Sequence, residues 1–181
     1  MQPRIILQPR QLELTIMRLC HQLIEQHRDF KNTALIGVQP RGVLLADRIW
    51  KQLTSILRKT DILYGKLDIT FYRDDFRIKG KPLIADETQI DFSLENRNIV
   101  LIDDVLFTGR TIRAALDAML DYGRPADVEL LVLIDRRLHR HVPIQAKYIG
   151  KVVDSIHTEK VRVEWSPDGH DDKVWIISEN T

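Results

Sequence analysis

The stretch from Ile99 to Thr111, IVLIDDVLFTGRT, holds most of the chemistry this chain advertises. Ile99-Val100-Leu101-Ile102 is short and continuously apolar, as a strand buried on both faces must be, so Asp103 and Asp104 are expected at its end. Thr108-Gly109-Arg110-Thr111 then leads into a helix expected from about Thr111 to Tyr122, closed by Gly123 and Pro125. Thr108 and Thr111 offer hydroxyls, and Gly109 lets a backbone come close. The helix start turns unpaired N–H groups toward an anion. This is a cradle of phosphate size, and it lacks the Gly-Lys-Ser/Thr of a triphosphate P-loop. Adjacent carboxylates repel a phosphate but suit the two hydroxyls of a ribose. Together they fit a ribose 5-phosphate. Helix capping alone would explain a pair of aspartates, but not strand, carboxylates, nest and helix in this order.

Other residues have weaker claims. Gln39-Pro40-Arg41-Gly42 interrupts a second apolar run, Ala34 to Val38, where a tight turn can aim N–H groups and Arg41 at an anion. A strand-to-helix turn also uses Pro and Gly with no ligand at all. Arg73, Arg77 and Lys79 lie in a charged segment, Arg73 to Asp91, that either closes over a bound anion or is simply a solvated run. Asp135-Arg136-Arg137 follows a third apolar run, Val128 to Ile134, so one of these side chains should face the site. His139 and His141 sit among arginines without neighbouring carboxylates, a poor zinc set. Cys20 lies on an apolar stripe and reads as core.

The elements that must position these groups follow from periodicity. Leu12, Ile16, Leu19 and Leu23 predict a helix from Leu12 to Arg28, and Val43 to Leu57 returns to the same spacing. Ile62 to Tyr72 alternates as a strand does. Three buried runs joined through helices predict an α/β fold with a central, mainly parallel sheet, whose sites lie beyond the carboxyl ends of its strands. After Asp135 come three short strand-like pieces, Lys147 to Val153, Lys160 to Trp165 and Lys173 to Ile177, expected as a small C-terminal hood formed mainly by 136–181. The 181 residues suit a single domain. With 44% apolar and 29% charged residues the chain is neither disordered nor collagen-like. A formal net charge of +1 leaves any nucleic-acid contact to a local patch. One cysteine excludes an internal disulfide, the N-terminal stretch is too polar for a secretory signal, and no run reaches the ~18 apolar residues of a membrane helix, so a cytoplasmic location is expected.

The Asp-Asp to Thr-Gly-Arg-Thr stretch resembles the phosphoribosyl diphosphate motif of the type I phosphoribosyltransferases. With LDITFYRDD ahead of it and VLFTGRTIRAALDAMLDYGRPADVELLVLIDR behind, the chain is similar to the bifunctional pyrimidine operon attenuator/uracil phosphoribosyltransferases, from the first helix to YIGK and Thr158 to Val161. The resemblance implies the type I phosphoribosyltransferase fold and the transfer of phosphoribosyl from phosphoribosyl diphosphate to uracil, giving UMP and diphosphate, with Mg²⁺ carried in by the diphosphate. It implies binding by Arg41, Gly42, Asp103, Asp104, Val105, Leu106, Phe107, Thr108, Gly109, Arg110 and Thr111. It gives Asp103, Asp104 and Arg73 catalytic roles, sets Arg137 beside the base, and supplies no protein metal cage. It also implies a homodimer or higher homo-oligomer and contact with pyrimidine-gene leader RNA through Arg18, His21, His139, Arg140 and Lys151. Met17 and Pro40 stand where the family often has threonine, and Gln145 where it often has arginine, so the RNA side departs from the pattern while the diphosphate motif does not. Two alternatives stay open: an RNA-binding regulator with incidental catalysis, and a transferase for hypoxanthine or orotate.

Overall fold

The computed structural model describes residues 3–74, 86–155, 159–167 and 169–178. In chain order its elements are β1 (Arg4–Leu7), α1 (Pro9–His27), β2 (Thr33–Val38), α2 (Gly42–Leu57), β3 (Leu63–Leu67), β4 (Asn98–Leu106), α3 (Arg110–Met119), β5 (Asp127–Arg136), β6 (Tyr148–Val153), β7 (Glu159–Glu164) and β8 (Lys173–Ser178). Five of the strands form one sheet in the order β3-β2-β4-β5-β6, and every neighbouring pair is parallel. Successive side chains in a strand point to opposite faces, and here both faces are buried. Leu35, Val100, Ile102, Leu131 and Leu133 pack under α1 and α2, whereas Ala34, Ile36, Ile99, Leu101, Leu130 and Val132 pack with α3. This is the expected α/β architecture.

Boundaries differ from expectation where a local bond decides them. Helix α1 begins at Pro9, whose fixed φ suits a first helical turn, and Gln11 Oε1 accepts the Gln8 N–H at 3.0 Å to close the N-terminus. Strand β3 stops at Leu67 because Asp68 Oδ1 takes the Thr70 hydroxyl at 2.7 Å and starts a 3₁₀ turn at Thr70–Tyr72. Strand β4 does not end at Asp103 but runs through both aspartates to Leu106, held by β5.

The larger correction concerns the hood. Tyr148–Val153, expected there, is instead the fifth strand of the central sheet, paired in parallel with β5. The separate small sheet has the order β1-β8-β7, so the chain's N-terminal strand closes it. Leu7, Val163, Val174 and Ile176 seat it on the α1/α2 side of the core. Arg48 of α2 anchors it: Nε and Nη2 reach the two Asp172 oxygens at 2.5 and 2.8 Å, Nη2 also donates to the Ser166 carbonyl, and the guanidinium lies 4.4 Å over Trp165. Among the described residues no helix is long and apolar enough to cross a membrane.

Candidate active site

Asp103 and Asp104 are both buried near the carboxyl end of the sheet's middle strand. Asp104 continues the row of Val100 and Ile102 toward α2, where Arg41 Nε donates to its Oδ2 at 2.8 Å. Asp103 Oδ1 accepts the Asp104 N–H at 2.9 Å. Burial, followed by the charge of Asp104, pushes the Asp103 carboxyl well above its usual range, and the fields of Arg41 and Arg73 pull the other way. Burial also raises Asp104, opposed chiefly by Arg41. The pair therefore stands ready for partners that stabilise carboxylate oxygens: hydroxyls, or a cation.

Gly42, first residue of α2, is required by close approach. A Cβ there would come within 2.5 Å of the Ile102 carbonyl oxygen and 2.9 Å of Asp103 Cα, so the turn rests directly on β4. The Gln39–Pro40 peptide bond before it is cis. Arg41 spans the site, with Nη2 donating to the Val163 carbonyl of β7 at 2.7 Å.

Thr108 to Thr111, expected as an anion cradle, form the turn into α3. Gly109 precedes α3 with φ of 87°, a left-handed conformation that favours glycine, and the Arg110 N–H at the helix start donates to Thr108 Oγ1 at 3.4 Å. Thr108, Arg110 and Thr111, with Arg73 and Asp74, line a cleft of about 160 Å³. Asp74 Oδ2 accepts from Arg110 Nη1 at 2.9 Å and lies 3.5 Å from Arg113 Nη2, so the acid lies against one wall of the cleft. Val105 is half-buried and Leu106 buried, which fixes the backbone between carboxylates and cradle. Among the described residues no three His, Cys, Asp or Glu side chains converge as a metal cage. Cys20 is buried and its thiol is pushed up to about 12 by burial.

The other expected residues lie elsewhere. Arg137 is 60% exposed and makes a two-pronged pair with Asp154, at 2.5 and 2.8 Å. Its neighbour Arg136 is the buried one, stacked 3.8 Å over the Phe107 ring and donating to Ser155 Oγ. Sequence could not choose between adjacent arginines at a strand end. Arg18 donates to the Ile149 and Gly150 carbonyls of β6 at 3.2 and 2.6 Å, and Lys151 Nζ donates to the Ile6 carbonyl at 2.9 Å. His21 is exposed one turn along from Arg18. His139 and Arg140 lie against Phe107. Arg77 and Lys79 fall outside the described residues.

Comparison with known proteins identifies the family. Residues 4–167 match the phosphoribosyl transferase domain family. "Bifunctional protein PyrR" of Actinobacillus pleuropneumoniae serotype 5b is 42% identical over 160 residues, 88% of each chain. The chain belongs to the PyrR family of phosphoribosyl transferases. The PyrR of Deinococcus deserti is 45% identical over 160 residues, covering 88% of this chain and 86% of its own. In fold, this PyrR family member resembles the hypoxanthine phosphoribosyltransferase of Trypanosoma cruzi, with a TM-score of 0.68, 16% identity and 97% of each chain covered. That likeness establishes the type I phosphoribosyltransferase fold. Asp103 to Thr111 run from the middle strand of the central sheet into a helix start.

Proposed function

We propose that the protein transfers phosphoribosyl from phosphoribosyl diphosphate to uracil, giving UMP and diphosphate, and that it also regulates pyrimidine gene transcription by binding leader RNA. The observation that carries the catalytic half is the buried Asp103-Asp104 pair between Arg41 and the cleft at the start of α3. Displacement at the anomeric carbon builds positive charge on the ribose as diphosphate departs, so catalysis is positioning and charge stabilisation. Asp103 and Asp104 accept the ribose hydroxyls. Thr108, Gly109, Arg110 and Thr111 hold the 5-phosphate, while Arg41, Gly42 and Arg73 receive the diphosphate. Two carboxylates suit a magnesium ion whose other ligands are substrate oxygens, and such an ion would add positive charge at the leaving group. The small sheet covers the base as a hood. Arg137 would have to leave Asp154 to reach that base.

The regulatory half draws on the name of the relatives, bifunctional, and on Arg18, His21 and Lys151, which share one side of the molecule around α1 and β6. We propose a cytoplasmic homo-oligomer, a dimer or larger, as the working form. Incubating the purified protein with Mg²⁺, phosphoribosyl diphosphate and each of uracil, hypoxanthine and orotate tests the reaction. UMP and diphosphate are expected from uracil alone. Turnover with another base and not uracil moves the assignment to that base, and turnover with none leaves an RNA-binding regulator.

A further inference from the structure

The segment after β5 wraps the loop that leads into the anion cradle. Arg136 stacks on the Phe107 ring and is held from behind by Ser155 Oγ and the Glu159 carbonyl, each at 2.7 Å. The backbone N–H groups of His141 and Val142 donate to the Thr108 carbonyl at 2.9 and 3.1 Å. Between them Arg140 bridges two elements: Nη2 pairs with Asp135 Oδ1 at 2.5 Å, and Nη1 donates to the Phe107 carbonyl. The Arg140 side chain is only 19% exposed and that of Asp135 9%. The Phe107 carbonyl belongs to the peptide that enters Thr108, so whatever fixes its direction fixes the Thr108 N–H, the first of the cradle. A guanidinium suits the task because its donors fan out in one rigid plane and satisfy two acceptors at once.

We infer that Arg140 is a positioning residue for the phosphoribosyl loop, acting on the 5-phosphate cradle through the Phe107 carbonyl, with Asp135 holding its guanidinium in place. This rests on the reading of the loop as a phosphoribosyl site. It departs from an RNA role for Arg140, whose charge already has a carboxylate partner and whose side chain is mostly covered.

The test titrates ribose 5-phosphate into the full chain and into its Arg140→Ala, Arg140→Lys and Asp135→Asn variants, each shown to be folded by circular dichroism at the working temperature. Initial rates with phosphoribosyl diphosphate run in parallel. Arg140→Ala is expected to weaken ribose 5-phosphate binding about tenfold or more and to raise the KM for phosphoribosyl diphosphate. Arg140→Lys, which satisfies one acceptor, should recover part of the loss. Asp135→Asn, which keeps the bond to Phe107 but drops the charge, should fall between. Unchanged ribose 5-phosphate affinity in a folded Arg140→Ala overturns the inference; if that variant does not fold, unchanged affinity in both of the others does so. The two readings separate cleanly: a parent protein that binds ribose 5-phosphate yet transfers to no base refutes only the proposed reaction.

Discussion

Asp103 carries two expectations of opposite sign, because the burial that makes it useful also makes it costly. Its carboxyl stands well above the ordinary value of 3.8, pushed there by burial and by Asp104, so the folded chain binds more protons than the unfolded one. The contribution of Asp103 to the stability of the ligand-free protein should therefore be most favourable in acid and decline as pH rises from 3.8 through the folded value. Asp103→Asn removes that ionisation. The variant is expected to melt above the parent at neutral pH, with the difference shrinking as pH falls, by calorimetry of both across that range. Its turnover should move the other way. Losing a charge-assisted hydrogen bond to the ribose costs roughly 1.5–3 kcal/mol, about ten- to a hundredfold in kcat/KM. A variant that melts higher and keeps full activity removes Asp103 from the ribose. The two aspartates and Gly109 were legible because their chemistry follows from residue type and immediate neighbours. The partners of Arg136, Arg137 and Arg140 were not: a guanidinium reaches several ångströms, and Arg140 meets a carbonyl 33 residues away in sequence.

Elements were legible in proportion to how locally they are determined. Helices α1 and α2 and strands β2, β4 and β5 declare themselves through apolar periodicity, and the parallel sheet follows from their alternation. Strand β1 has only four residues and pairs with β8 at the far end of the chain, so nothing nearby signals it. Strand β6 shares the half-exposed pattern of β7, and only its pairing with β5 assigns it to the central sheet. What joins the small sheet to α2 is equally non-local, a pair between Arg48 and the buried Asp172. Removing Arg48 leaves the buried Asp172 charge without its cation, with the Ser166 N–H and hydroxyl as its remaining donors. Arg48→Ala should therefore lower unfolding free energy by about 3 kcal/mol in denaturant titration. It should also raise the KM for uracil more than that for phosphoribosyl diphosphate, since the small sheet is the proposed cover of the base and the cradle lies on β4 and α3. A variant as stable as the parent would show that the pair does not anchor the sheet.

Across the whole molecule, 27 basic residues against 26 acidic ones make bulk attraction to RNA negligible, so binding must come from a few cations close together. Around α1 and β6 the candidates are Arg18, His21 and Lys151, and two of these already donate to backbone carbonyls. A carbonyl partner leaves the positive charge unneutralised, unlike the carboxylate partners of Arg137 and Arg140, so Arg18 and Lys151 can still attract phosphate. For single-stranded RNA, log affinity falls with log salt at a slope of about −0.7 per phosphate neutralised. Arg18→Ala and Lys151→Ala should each flatten the slope by about 0.7, whereas Arg137→Ala should leave it unchanged because Asp154 already balances that charge. Specific recognition should favour a leader-RNA loop with unstacked bases over plain duplex, and should strengthen with UMP in the nucleotide site. Since Met17, Pro40 and Gln145 lack a cation and two hydroxyls at positions where the resemblance implies RNA contact, affinity should be modest, and Gln145→Arg should raise it. Salt titrations of parent and single variants against one leader RNA decide the matter: slopes identical in all of them would take RNA off this face of the protein.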